Sequence, residues 1–559
     1  MEQTIVYPAS IVRTLDPARP TAAAVAVRGE RIRAVGSVAE LMAYPGAVLD
    51  ERYADAVLIP GFVEAHSHAK SGDMFANAYV GLVDRIAPDG RRWQGCRSVE
   101  DVLSRLSEAE AELEDPEAPL LAWGLDPIYF TGQRISASDL DRVTTTRPVH
   151  IMHTSGHVCS VNSAALRRCS IDETTTVTGV VKDVAGQPTG ELQEFAAMGL
   201  AASLTEGSGL LSISAAALRG FAQDGVNTGT TTLTDLGSRS LMDDAGVELY
   251  RSVVDGDFPA RLNVFHFGVG VGKVALSLTE AAQQLVKLRG LSTDKLRFGN
   301  VKLMLDGSIQ GFTARLLEPG YLGDQPNGIW AVTPEEFREA FETFHAAGLL
   351  VHVHCNGDQT TQLFLDTLEA VLTAHPRPDH RHTCTHSQLS TTAQYRRMAA
   401  LGACANIFAN HIWAWGDQHM DITVGPDRAS RMNATATALR HGVPISLHSD
   451  TPVTPLGPLH TMKHAVTRLT VSGRVMGEAE RISAQQALEA VTLGGAYMLK
   501  MDHEIGSLEA GKFADMAVLT RDPLEVPGEE IGDIHVLGTV VGGRHHVSNV
   551  RATAKAGAR

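Results

Sequence analysis

The stretch PGFVEAHSHA (residues 60–69) ends an apolar run with two histidines that are separated by one residue. Side chains alternate along a strand, so His66 and His68 point to the same side and can bind one cation together. A His-x-His pair also occurs as two unrelated surface or core histidines. Its meaning therefore depends on what the rest of the chain brings to the same place.

Seven more apolar runs follow this stretch, and segments of helical character separate them. Strands that alternate with helices are typical of a parallel α/β barrel, and a TIM-type barrel needs eight of them. The predicted strands are AVLIPGFVEAH, GTTTLTD, RLNVFHF, LRFGNVKLMLD, LLVHVHCN, HRHTCTHS, GACANIFAN and VPISLHSD. The sequence thus predicts an α/β fold with a (β/α)8 TIM-type barrel.

Two further parts are expected around the barrel. Short alternating strands occur at both ends of the chain, and termini often lie close together, which predicts a composite β-sandwich of residues 1–60 and 496–559. The gap between the first two barrel strands is far longer than an ordinary βα loop. We therefore assign residues 61–72 and 220–495 to the barrel, and residues 73–219 to an inserted subdomain that covers the active site.

Composition excludes several classes of protein. The chain has 559 residues, 44% of them hydrophobic and 20% charged, which is the profile of a globular enzyme. A net charge of −16 argues against binding to nucleic acid. No export signal or long apolar segment is present in the sequence, which predicts a cytoplasmic protein without membrane contact. Six scattered cysteines are expected to be reduced and mostly buried.

Polar residues line one face of three other predicted strands. The outermost of them lie nearest the barrel mouth and are the predicted ligands: His354, His386 and Asp450. The inner members are expected to support these ligands or to be hydrogen-bonded core histidines: His352, His382 and His448. With His66 and His68, five metal-competent residues converge from four strands. This convergence predicts a metal site.

Lys302 lies on the fourth predicted strand, which is otherwise apolar. One interpretation is a buried lysine paired with Asp306 or another carboxylate. The other is carboxylation, because a desolvated lysine loses its proton readily and the neutral amine can add CO2 to form a carbamate that bridges two cations. The residues alone leave both interpretations open.

The chain resembles the amidohydrolase superfamily, specifically its amidohydrolase-3 or exoenzyme-regulatory branch, which includes deformylases of N-substituted formamides. The resemblance covers nearly the whole chain. It is carried by PGFVEAHSHA at 60–69, SGHVCSVNSAAL at 155–166, GQPTGELQE at 186–194, VKLMLDGSIQG at 301–311, VHVHCNGD at 351–358, RHTCTHSQ at 381–388 and GSLEAGKFADMAVL at 506–519.

The resemblance implies a place for each predicted ligand. His66 and His68 would bind the more buried of two metal ions, and His354 and His386 the other. Lys302 falls where some members carry the bridging carboxylated lysine, and Asp450 matches the aspartate of strand eight. Glu64 stands where the family commonly has Asp, which puts the identity of the substrate in doubt rather than metal binding.

The predicted chemistry is hydrolysis of a C–N bond in an amide-like substrate, such as an N-substituted formamide or a cyclic amide. Two divalent cations that share a water supply a bridging hydroxide, and Asp450 takes its proton and passes it to the leaving nitrogen. Zinc is the expected metal, with iron and manganese as alternatives. The expected partner is a small-molecule substrate, and a homo-oligomer is compatible with the sequence.

Residues for the substrate are harder to assign. His157 is predicted as a catalytic and substrate-binding residue that donates a hydrogen bond to the carbonyl oxygen, with a structural cap near Asn162 as the alternative. Aromatic residues with the potential to face the barrel mouth are predicted substrate contacts: Trp93, Phe312 and Trp413. Two other functions stay open, a metal-dependent lyase, decarboxylase or isomerase on the same scaffold, and a scaffold without catalysis.

Overall fold

The computed structural model describes residues 3–130, 134–206, 208, 210, 213–268 and 276–550. Its strands are β1 (Thr4–Arg13), β2 (Thr21–Arg28), β3 (Arg31–Gly36), β4 (Val48–Leu49), β5 (Val57–Pro60), β6 (Phe62–Val63), β7 (Ala78–Tyr79), β8 (Arg85–Ile86), β9 (Arg92–Trp93), β10 (Leu120–Leu125), β11 (Val149–His153), β12 (Val158–Val161), β13 (Val180–Lys182), β14 (Pro188–Gln193), β15 (Thr230–Ser238), β16 (Arg261–Phe267), β17 (Leu296–Met304), β18 (Leu350–Cys355), β19 (Thr383–His386), β20 (Cys404–Ile407), β21 (Ile445–Leu447), β22 (Met516–Leu519), β23 (Val536–Val541) and β24 (Arg544–Val547).

The α-helices occupy most of the connections between these strands. They are α1 (Val38–Met42), α2 (Val99–Glu112), α3 (Ala137–Leu140), α4 (Ser163–Arg168), α5 (Glu194–Met198), α6 (Ala215–Thr228), α7 (Asp244–Val253), α8 (Leu278–Arg289), α9 (Pro334–Ala346), α10 (Asp358–Ala374), α11 (Thr392–Leu401), α12 (Asn410–Gln418), α13 (Gly425–Ala429), α14 (Thr435–Arg440), α15 (Pro458–Thr467), α16 (Ala484–Glu489) and α17 (Gly495–Met498). Within the described residues, every helix falls short of the length and apolarity that crossing a bilayer requires.

Eight parallel strands form the centre of the molecule. They pair in the order in which they occur along the chain, from β6 through β15, β16, β17, β18, β19 and β20 to β21. Parallel neighbours need crossover connections, and helices fill these, for example α8 between β16 and β17. Nearly every residue of these strands is buried, as expected where helices cover the outer face. This is the arrangement of a TIM-type α/β barrel.

The two ends of the chain meet in a second sheet of eight strands. β5 pairs with β1 on one side and with β22 on the other, and β22 continues into β23 and β24. Gly61 alone separates β5 from β6, and a Cβ atom there would lie 2.0 Å from the Thr231 hydroxyl oxygen, so only glycine fits. The chain therefore passes straight from the terminal sheet into the first barrel strand.

A third sheet, of six strands, lies between β6 and β15 in the sequence. Its strand order is β13-β14-β12-β11-β10-β7. Residues next to this sheet, among them Met74 and Trp123, form a hydrophobic cluster that is separate from the barrel core. The long predicted gap thus contains regular structure. The exact domain boundaries and the two-layer sandwich stay predictions.

A buried ion pair joins the barrel to the terminal sheet. The Arg261 guanidinium donates to both carboxylate oxygens of Asp515, at 2.6 and 3.0 Å, and lies 3.5 Å over the ring of Phe513. We expect Asp515→Ala to lower the free energy of unfolding by about 3–5 kcal/mol, because it leaves a buried guanidinium without its partner. Chemical denaturation of the metal-loaded protein measures this change. Asp257→Ala removes an exposed carboxylate and is the control, so it should change the free energy of unfolding little. An equally small change in the free energy of unfolding for Asp515→Ala would contradict the prediction.

Candidate metal centre

A cavity of about 290 Å3 opens at the carboxyl ends of the barrel strands. The end of a barrel strand is where several elements can each place one side chain at a common point. All six residues predicted to bind metal line this cavity: His66, His68, Lys302, His354, His386 and Asp450. The structure thus brings together the residues that the sequence placed on separate strands.

Asp450 lies against the His-x-His pair. One of its carboxylate oxygens is 3.1 Å from His66 Nε2 and 3.3 Å from His68 Nε2. The candidate ligand atoms of these three residues all lie within 4.8 Å of one another. A spacing of this kind is what a single cation needs in order to contact every member of the group.

His354 and His386 form a second group next to the first. His386 Nε2 lies 3.1 Å from His354 Nδ1, and His386 Nδ1 lies 3.1 Å from His448 Nε2. Burial lowers the pKa of His66, His354 and His386 well below its ordinary value, so their imidazoles are neutral and their lone pairs are free for a metal. Neutral nitrogens that converge with a carboxylate fit divalent cations such as zinc.

Lys302 is buried in β17 and its Nζ has no hydrogen-bond partner among the described residues. Lys302 does not form the alternative ion pair with Asp306. The Asp306 carboxylate instead accepts hydrogen bonds from the backbone of Asn356, Gly357 and Arg315. Burial lowers the pKa of Lys302 to about 7, against the opposing charge of Asp450. A substantial fraction of this amine is therefore neutral at neutral pH.

The inner histidines have different surroundings. His448 stacks on His66 with ring centres 4.7 Å apart, and its Nδ1 lies 2.9 Å from Asn406 Oδ1. It thus contacts both groups of ligands, as a supporting residue does. His382 instead bonds to His345 at 2.9 Å and accepts from the backbone of Val351, away from the cavity.

Glu64 ties the first barrel strand to the last. Its carboxylate accepts from the backbone nitrogen and from the hydroxyl of Ser449, each at 3.0 Å. Burial raises the pKa of Glu64 to about 8, although these hydrogen bonds act in the opposite direction. Since Ser449 precedes Asp450, this contact fixes the backbone that carries the carboxylate. Sequence alone had marked Glu64 only as a departure from the family pattern.

Three site residues have a left-handed backbone that is rare for residues other than glycine. The φ angles are 70° at His386, 54° at Asp450 and 59° at Glu194. Such conformations cost about 1–3 kcal/mol each and persist only where the surrounding structure imposes them. Nine other non-glycine residues in the described part of the chain share this conformation, for example Leu15 and Lys500, so it does not by itself mark a functional site.

His157 reaches the cavity from the six-stranded sheet. Its Nδ1 lies 3.0 Å from a carboxylate oxygen of Glu194, and its ring lies 5.2 Å from the ring of His354. Burial alone would lower the pKa of His157, but the charge of Glu194 and the hydrogen bond to it raise the pKa above its ordinary value. The alternative of a cap for the turn at Asn162 is not observed, because Asn162 itself accepts from Ala165.

The predicted aromatic contacts do not line this cavity in the part of the chain that the structure describes. Trp93 packs against Phe75 at 6.2 Å, and Phe312 packs against Tyr321 at 5.2 Å. Trp413 lines a separate cavity of about 600 Å3. Aromatic side chains more often fill cores than contact ligands, and their direction depends on distant packing.

Other aromatic and cationic side chains line the cavity instead. The cavity is lined by residues that sequence reasoning missed: Lys70, Trp123, Phe195, Arg239 and Phe267. Lys70 follows the His-x-His pair by two residues, and Arg239 directly follows β15. Their positions just after barrel strands were the signal that could have identified both.

Comparisons with known proteins agree with this architecture. A family model described as the amidohydrolase family matches residues 54–547. The protein LONG AFTER FAR-RED 3 of Arabidopsis thaliana is 28% identical over 550 residues, which cover 95% of this chain and 89% of that protein. The N-substituted formamide deformylase of Arthrobacter pascens is 26% identical over 554 residues, which cover 95% and 96%.

A solved structure shares the fold. It is an uncharacterized metal-dependent hydrolase from Pyrococcus horikoshii OT3, with a TM-score of 0.70 at 18% sequence identity. The match covers 97% of this chain and 100% of the other. At this level of identity the likeness concerns the fold alone.

Proposed function

This chain belongs to the amidohydrolase family, and from that premise we propose that it is a metal-dependent hydrolase of amide-like C–N bonds. The observation that carries the proposal is the convergence of neutral histidines, one carboxylate and one unpaired lysine at the barrel mouth. His66, His68 and Asp450 would hold one divalent cation, and His354 and His386 would hold a second. Zinc is our first choice of metal.

The proposed reaction replaces a C–N bond by a C–O bond. When bound, the cations supply a hydroxide at neutral pH and polarise the carbonyl group of the substrate. The Asp450 carboxylate then accepts a proton and returns it to the leaving nitrogen. N-substituted formamides are the first substrates to test, because a relative at 26% identity is a deformylase of such compounds.

His157 is the proposed donor to the carbonyl oxygen. Its Nδ1 is held by Glu194, which leaves Nε2 for a contact inside the cavity that His157 lines. A protonated imidazole donates from both nitrogens, and the raised pKa favours that form. Glu194 orients the ring through this hydrogen bond and acts on the substrate only through His157.

Lys302 is the proposed bridge between the two cations, as an N-carboxylated side chain. Its Nζ is buried and unpartnered among the described residues, and its pKa of about 7 gives enough neutral amine for reaction with CO2. The carbamate would replace a buried cation by an anion between two metal ions. This removes the electrostatic cost of an ammonium group next to them.

Metal analysis and an activity screen on one preparation test the proposal. We expect about two equivalents of a divalent metal per chain, and release of an amine with formate or another carboxylate from formamides, amides, carbamates, ureas or cyclic imides. Removal of the metal with a chelator should abolish activity, and its return should restore it. A chain that binds well under one equivalent and stays inactive after metal addition would contradict the proposal. Release of CO2 or an aldehyde without incorporation of water would indicate a lyase instead.

A further inference from the structure

Two cationic side chains line the metal-centre cavity on the same side. Lys70 lies in a 3-10 turn (Ala69–Gly72) that begins directly after His68, and Arg239 directly follows β15. Since β6 and β15 are neighbours in the barrel, both cations stand beside the His-x-His pair. The Phe195 ring lies between Arg239 and His157: its centre is 5.2 Å from Arg239 Cζ and 5.9 Å from the centre of the His157 ring.

Neither cation is neutralised by a carboxylate in the part of the chain that the structure describes. Asp235 and Asp450 are the acids whose charges act on Lys70, but the Asp235 carboxylate already accepts from the Tyr250 hydroxyl at 2.6 Å and from the Ala69 backbone at 3.1 Å. Burial lowers the pKa of Arg239, and no acid opposes that effect.

Two like charges that face one cavity repel each other, and bound metal ions would add to the repulsion. The chain has an excess of acidic residues, with a net charge of −16, so carboxylates for pairing are abundant. An uncompensated pair of cations at this place therefore favours an anion that arrives from outside. A carboxylate suits an arginine especially well, since it accepts two parallel hydrogen bonds from the guanidinium edge.

Two phenylalanines hold the guanidinium in place. The Arg239 Cζ atom lies 5.2 Å from the ring centre of Phe195 and 5.3 Å from that of Phe267. The two rings are 6.0 Å apart at 79° and come from α5 and from the end of β16. The two rings thus form an apolar wall beside the guanidinium. In the described part of the chain no carboxylate lies within ion-pair distance of Arg239, so its N–H groups can donate to a ligand.

We propose that Lys70 and Arg239 bind a carboxylate of the substrate, so that the substrate class is an amide whose apolar body carries an anionic group. The anion would lie on the side of β6 and β15, and the scissile C–N bond would lie at the ligands described above. This inference rests on the proposed function for the reaction, but the anion site itself does not depend on which bond is broken.

A matched pair of substrates tests the site by kinetics. The pair is 4-(formamidomethyl)benzoic acid and its primary carboxamide, which differ in one charge. We expect the wild-type protein to prefer the acid in kcat/KM by about 10- to 100-fold, the range that a charged hydrogen-bonded contact provides. Arg239→Gln and Lys70→Gln should each reduce that preference strongly while metal content stays unchanged.

Arg338→Gln is the control for the change in net charge. Arg338 is an exposed arginine on α9, and it does not line the metal-centre cavity. It should leave the preference for the acid as it is in the wild type. A preference that survives both Arg239→Gln and Lys70→Gln would overturn the proposal. So would the absence of any preference in the wild type.

Binding without turnover separates this inference from the proposed function. Calorimetry with the metal-loaded protein compares 4-methylbenzoate with 4-methylbenzamide, and the benzoate should bind at least about 10-fold more weakly to Arg239→Gln than to the wild type. Benzoate binding that persists in both variants and disappears with the metal would assign the anion to the metal ions and refute the site. If neither formamide is hydrolysed but benzoate binding depends on Arg239, the anion site stands and the proposed reaction fails. If both are hydrolysed equally, the reaction stands and the anion site fails.

Discussion

Asp450→Asn is expected to lower kcat by about two to four orders of magnitude, the range that a positioned acid or base contributes. Asparagine keeps the shape of the side chain and one oxygen near His66 and His68, but it cannot take a proton. Much of the bound metal should therefore remain. Steady-state kinetics and metal analysis on the same sample measure the two effects.

Asp421→Asn is a matched control, because this carboxylate is exposed and pairs with Arg474 outside the barrel mouth. It should keep both turnover and metal. Near-wild-type kinetics in Asp450→Asn would refute the role of Asp450 in proton transfer. Complete loss of metal in that variant would show that the carboxylate acts mainly as a ligand.

If Lys302 is the proposed carboxylated bridge, Lys302→Ala should remove at least one of the two proposed metal equivalents and nearly all activity. Formate, acetate or propionate should then restore part of both, since a small carboxylate would occupy the space of the proposed carbamate. Elemental analysis with and without these acids measures the result. Mass spectrometry of the intact wild-type protein is a poor substitute, because carbamates are lost in acid.

Lys295→Ala provides the comparison for Lys302. Lys295 is also buried, but it lies just before the start of β17, at the end of the barrel away from the cavity. Its Nζ donates to the Phe258 carbonyl oxygen at 2.5 Å. Its loss should affect stability and leave the metal content unchanged. Unchanged metal in Lys302→Ala would mean that this lysine is a buried amine without a role in the centre.

The sequence predicted the barrel well because the information is local. Each predicted run overlaps an observed strand, and RLNVFHF matches Arg261–Phe267 in full. The first run is the exception, since its apolar half divides into β5 in the terminal sheet and β6 in the barrel. A continuous apolar run does not show that Gly61 lets the chain change sheets.

The convergence of the candidate ligands on one cavity was predictable, because alternation along a strand and the position of the strand end fix the direction of a side chain. Their role as metal ligands stays a prediction. His354 and His386 follow from that rule alone. The same rule does not tell which aromatic side chains line the cavity. The direction of Trp413, for example, depends on its stacking with His464, which lies on a helix that is distant in sequence. The pairing of His157 with Glu194 likewise joins two segments that no local pattern connects.

Strand β5 is hydrogen-bonded between β1 and β22, and one glycine later the chain enters the strand that leads to His66 and His68. Its pairing partners on one side are residues Met516–Leu519, which follow all eight barrel strands in the sequence. Until that segment has been synthesised, the edge of β5 on that side lacks its partner in the terminal sheet. The strand that leads into the barrel is therefore secured on that side only after every barrel strand has been made.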